Sequence, residues 1–106
     1  MSMTSTTHLI ALLAAGELAV QLLHADSATR AAKARYHDKI DQFEAKHGRA
    51  SSRIDTRQPE HAKVIKHTKV EYEAYLDAKR NAGNVRRRLE NASRKAATIV
   101  ATGGTL

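Results

Sequence analysis

The sequence predicts an all-α protein: a long antiparallel two-helix hairpin, coiled-coil-like, that assembles into a helical bundle oligomer. Three observations carry this. Good helix formers (Ala, Lys, Arg, Glu) dominate, and a single Pro and five Gly in 106 residues leave little to interrupt them. Ala78, Ala82, Val85, Leu89, Ala92, Ala96 and Ile99 alternate steps of four and three, the seam of a coiled coil. A short polar stretch separates two segments of nearly equal length, which favours antiparallel neighbours. Aromatics make up only 4% of the chain, with no Trp and Phe43 as the one Phe. So little bulk suits helices touching along an alanine seam and could not fill a wide core.

The elements follow in order along one domain, residues 1–106. Thr4, Ser5, Thr6 and Thr7 offer capping hydroxyls before the first apolar run. Leu18, Leu22, Ala25, Ala32, Tyr36, Ile40 and Phe43 then recur near helical spacing. Gly48 after His47 makes a helix stop, because Gly accepts the left-handed conformation there. The first helix is therefore expected over about 7–47, roughly 60 Å at 1.5 Å per residue. Residues 48–57 (GRASSRIDTR) read as the loop. Asp55 or Thr56 can cap the next helix and Pro59 is tolerated in its first turn. The second helix is expected over about 59–100, ahead of a fraying tail at 101–106 that contains Gly103-Gly104. With the turn near residue 53, residues 9–23 should face 83–97, and Phe43 should meet Lys63 and Val64. Asp26-Ser27 and Gly83-Asn84 are two weak points at one level, where a four-helix arrangement could arise. The heptad running straight through Ala82 and Val85 favours continuous helices.

Residues 9–23 (LIALLAAGELAVQLL) are apolar nearly all round. Such a helix wants burial on every side. The run is too short to span a bilayer, Glu17 and Gln21 interrupt it, and residues 1–8 lack the Lys or Arg of a signal peptide. A lone hairpin would leave several leucines in water, each forfeiting about 1.5–3 kcal/mol of burial. The expected cover is a second copy or an obligate protein partner, not a membrane. Leu9, Ile10, Leu12, Leu13, Leu18, Val20, Leu22, Leu23, Leu89 and Ile99 are the candidate interface.

Charge is distributed as unevenly as apolarity. The net charge is +7, and all 18 Lys and Arg lie from Arg30 onward, against nine acidic residues there. That asymmetry points to an anionic partner, nucleic acid first. With Ala78 at a d position, Arg80, Arg87 and Arg94 fall at f, opposite the seam. Lys79 and Arg86 fall at e, and Arg88 and Lys95 at g. Arg49, Arg53 and Arg57 add a loop patch. These ten residues are the candidate polyanion site. Its readout should be electrostatic and weakly sequence-specific, since only Tyr72 and Tyr75 could stack on bases nearby.

Catalysis is not expected. There is no Cys, no HExxH, no nucleophile elbow, no phosphate-binding loop and no dinucleotide fingerprint. His37, Asp41 and Glu44 share a helix face, and His47 and His61 could approach across the turn, but neither set completes a metal site. No catalytic, cofactor or metal residues, cofactors or small-molecule substrates are assigned. The expectation is a non-enzymatic adaptor that self-associates through its apolar N-terminal segment and binds nucleic acid or another polyanion. The alternative is a protein-binding structural or regulatory module, such as a virion component or an inhibitor, without a nucleic-acid role. The absence of Cys and the Ala- and Arg-rich composition suit the cytoplasm of a bacterium or of a phage-infected host.

Overall fold

The computed structural model describes residues 5–48 and 61–101, and it is an all-α two-helix hairpin. Helix α1 spans Thr6–His47 and α2 spans Ala62–Ala101; the described residues contain no strand. Ser5 caps α1. Its Oγ accepts from the His8 backbone N–H at 3.0 Å and its carbonyl accepts from Leu9 N–H at 3.0 Å. At the far end Gly48 adopts φ +88° and its N–H closes on the Glu44 carbonyl at 2.8 Å. Only Gly takes that φ without strain, which fixes the stop. The expected cap at Asp55 or Thr56, Pro59, most of the loop and residues 102–106 lie outside the described residues.

Both helices run unbroken through Asp26-Ser27 and Gly83-Asn84. Gly83 costs helix propensity of about 1 kcal/mol relative to Ala. It is flanked by Ala82 and Val85, both buried, and that packing holds the turn in place.

Each helix shows one burial repeat. From His61 through α2 a repeat of shielded positions runs His61, Val64, Thr68, Glu71, Tyr75, Ala78, Ala82, Val85, Leu89, Ala92, Ala96 and Ile99, with Ile65, Leu76, Gly83 and Asn84 partly shielded beside it. Steps of three and four alternate without a fault, so the heptad expected for the second half extends through the first. In α1 the matching set is His8, Ala11, Ala15, Leu18, Leu22, Ala25, Thr29, Ala32, Tyr36, Lys39 and Phe43. Alanine supplies much of both seams, which lets the backbones approach closely.

Contacts divide the chain into two units. The first joins Met1–Asp26 to Arg80–Leu106, and the second is Ser27–Lys79. In the first unit Ala25, Ala82 and Val85 form the core, with Leu22 packed against them. Arg86 reaches across to the Asp26 carboxylate at 3.2 Å. Both side chains are partly solvated, so the pair contributes about 0.2–1 kcal/mol. In the second unit Phe43 meets His67 with ring centroids 5.5 Å apart, and Lys39 lies 4.0 Å from Glu71.

These pairings lie close to the expected register. Phe43 packs against His67, one turn from the Lys63 expected opposite it, and Asp26 pairs with Arg86.

Candidate functional site

The first unit presents two outer faces of opposite chemistry. On α1, Leu9, Ile10, Leu12, Leu13, Val20 and Leu23 are all exposed, from 46% for Leu12 to 66% for Leu13. Ala11 is the one buried residue between positions 9 and 23. Leu9, Leu13, Gly16, Val20 and Leu23 follow one another at steps of four, three, four and three. This is a second heptad stripe on the side of α1 opposite its seam. A Cβ added at Gly16 would meet nothing within 4 Å, so the stripe is open at its middle. The six exposed side chains offer on the order of 600 Å² of surface, near the ~800 Å² each partner buries in a standard protein interface.

The other four candidate interface residues sit elsewhere. Leu18, Leu22, Leu89 and Ile99 are half-buried on the seams, turned toward the opposite helix. They hold the hairpin together; of the remaining six, Leu9, Leu13, Val20 and Leu23 form the outer stripe, and Ile10 and Leu12 flank it on either side.

On α2 the candidate cations Arg80, Arg86, Arg87, Arg88, Arg94 and Lys95 are all exposed. The heptad places Arg80, Arg87 and Arg94 opposite the seam. Arg86 donates to Asp26 and Arg87 donates to the Asn84 side-chain carbonyl. Glu90 is the only acidic residue of α2 beyond position 80. Lys79 is exposed too, but it closes the second unit. Arg49, Arg53 and Arg57 lie outside the described residues.

The second unit gathers all three tyrosines of the chain. Tyr36 lies between Tyr72, at 5.0 Å and tilted, and Tyr75, at 6.4 Å and nearly parallel. A groove of about 770 Å³ opens beside them, bordered by Lys33, His37, Lys69 and Glu73. Sequence spacing alone had brought forward Tyr72 and Tyr75 without Tyr36. Burial pushes the Tyr36 hydroxyl above the usual tyrosine range, and a charge on Tyr72 would push it further.

That shift has a signed consequence for stability. Unfolded tyrosine titrates near pH ~10. Below that value Tyr36 keeps its proton in both states and its contribution is intact. As pH rises toward the higher folded value, the unfolded chain releases the proton first and stability falls. The melting temperature is expected to drop as pH rises above about 10, and to drop less in Tyr36→Phe. Equal alkaline losses in the two proteins would remove Tyr36 as the cause.

Among the described residues no three His, Asp or Glu side chains converge as a metal-holding group. His37, Asp41 and Glu44 share a helix face without forming one. Thr68, among the most buried residues, satisfies its hydroxyl on the Val64 carbonyl at 2.8 Å. By length and composition α1 is apolar enough to cross a membrane, and almost none of its most apolar stretch is buried. That stretch, however, is paired with the part of α2 that carries Arg86, Arg87, Arg88, Arg94 and Lys95. Drawing those cations into hydrocarbon would cost about 2.5–3.5 kcal/mol each on insertion scales.

Comparison with known proteins brings no relative to this arrangement: no family model, no curated protein and no solved structure matches the chain.

Proposed function

We propose that this chain is a non-enzymatic helical adaptor. It self-associates through the outer stripe of α1 and binds nucleic acid, or another polyanion, through the outer face of α2. The observation that carries the reading is the pairing of these two faces in one unit. Six large apolar side chains are left in water on one helix, and six cations stand on the other.

The apolar face supports self-association for an energetic reason. Burying a large aliphatic side chain is worth about 1.5–3 kcal/mol. Several such terms together rival the total stability of a small domain, about 5–15 kcal/mol. A second copy supplies an identical stripe of the same repeat. The basic face supports polyanion binding because its cations are exposed and clustered, with Glu90 the one acidic residue of α2 beyond position 80.

Mass in solution and a gel-shift titration against salt test the two halves. The expected results are a species of at least two chains and a shift that weakens steeply as salt rises. A single-chain mass at micromolar protein sinks self-association; flotation with lipid vesicles would identify a bilayer as the cover instead. No shift at low salt sinks the polyanion half and leaves a module that docks its apolar stripe on another protein.

A further inference from the structure

The two outer faces of the first unit stand back to back across one seam. On α1 the stripe through Leu13 and Val20 is opposite Leu18, Leu22 and Ala25. On α2 Arg87 and Arg94 are opposite Ala82, Val85 and Leu89. One face therefore points away from the other, and no single flat partner can touch both.

This geometry restricts what covers the stripe. A basic amphipathic surface helix holds its cations and its apolar residues against the same lipid surface. Here an inserted α1 would turn Arg87 and Arg94 away from the headgroups, and α1 itself carries no cation before Arg30. The four-three alternation of Leu9, Leu13, Gly16, Val20 and Leu23 is what a helix of the same repeat requires. The exposed area approaches one partner's share of a standard interface. A second copy meets both conditions.

We propose that two chains paired through their α1 stripes bridge two separate nucleic-acid duplexes. The inference rests on the function proposed above and adds an arrangement to it. A twofold contact uses the same patch on both chains. The layers are then α2, α1, α1 and α2, with the basic faces on the two outsides. At 8–10 Å between packed helices, the α2 axes lie roughly 25–30 Å apart, far enough to hold two duplexes on opposite sides. Arg80, Arg87 and Arg94 repeat every ~10.5 Å along one face. Over the resulting ~21 Å a duplex presents about a dozen phosphate charges, enough to engage all the cations of that face.

The test is capture of a fluorescent duplex by bead-tethered duplex DNA, using the full chain. The wild type is expected to capture it at intermediate protein and release it at excess, when each duplex is coated by its own pairs. Leu13→Asp is expected to stay on the tethered DNA and to capture at least tenfold less of the second duplex. Wild-type protein that is paired and DNA-bound yet captures nothing overturns bridging and leaves the adaptor reading standing. Undiminished capture by Leu13→Asp overturns the stripe as the joining surface. Failure of the wild type to pair or to bind tethered DNA removes the function proposed above and bridging with it.

Discussion

Leu13→Asp is expected to reduce the sedimenting mass to that of a single chain while helix content and melting of the isolated hairpin stay nearly unchanged. Leu13 is 66% exposed and directly opposite the seam. Within one hairpin the new carboxylate lies in water four residues before Glu17, and its local cost is about half a kcal/mol of helix propensity plus about 0.2–0.5 kcal/mol of like-charge repulsion. In a twofold pair the same change acts twice. It removes two buried leucines, worth about 1.5–3 kcal/mol each, and leaves a carboxylate unpaired in each half of the interface. A total loss near 4–6 kcal/mol lowers pairing affinity by about 10³–10⁴-fold. Sedimentation with circular dichroism on the same sample reads both quantities. Leu22→Asp is the contrasting variant. Leu22 packs against Ala25, Ala82 and Val85, so its replacement should cost helix as well as mass. An unchanged mass for Leu13→Asp would end the case for the outer stripe.

The double variant Arg87→Glu, Arg94→Glu is expected to abolish polyanion binding at moderate salt without dispersing the oligomer. Both residues are exposed opposite the seam, so neither reversal reaches the apolar stripe. The pair changes the net charge by four from its starting value of +7. Losing two phosphate contacts alone should flatten the slope of log affinity against log salt by about 1.8. The introduced carboxylates repel phosphate in addition, and a hundredfold loss or more is expected near ~0.1 M salt. The cost to the hairpin is small. Glu90 acquires acidic neighbours three residues before it and four after it, at about 0.2–0.5 kcal/mol each. Gel shift and thermal melting of the same preparation separate the two effects. A shift that survives both reversals with its salt slope intact would place the polyanion elsewhere on the chain.

The legibility of the hairpin in the sequence depended on which residues line its seam. From Ala78 to Ile99 the seam is Ala, Val, Leu and Ile among cations, and periodicity alone marks it. Before Ala78 the same repeat is carried by His61, Thr68 and Glu71, which hydropathy reads as surface. Thr68 fits there because its hydroxyl bonds back to the Val64 carbonyl and needs no water. In α1 the obstacle is the reverse, since apolar residues occur at every angle between positions 9 and 23. Two stripes compete there, Ala11-Ala15-Leu18-Leu22 and Leu9-Leu13-Val20-Leu23. The first alone continues in register to Ala25, Ala32, Tyr36 and Phe43; the second runs on into Ser27 and Arg30. Long-range continuity, not local hydrophobicity, decides which one faces α2. The basic face was readable because three of its arginines follow from the α2 seam by heptad position. The tyrosine cluster was not, because Tyr36 lies on the other helix and meets Tyr72 and Tyr75 only through the pairing of the two helices.

That cluster also makes the chain its own spectroscopic reporter. There is no Trp, and Tyr36, Tyr72 and Tyr75 all belong to the second unit. Tyrosine emission therefore follows residues 27–79 and is blind to the unit that carries both outer faces, whereas far-ultraviolet circular dichroism follows the helices of both. Recorded together on one heated sample, the two signals coincide if the hairpin melts as one cooperative body and separate if its units open independently. With three weak chromophores in 106 residues, the near-ultraviolet spectrum of the purified protein also discloses any nucleic acid it has carried out of the cell.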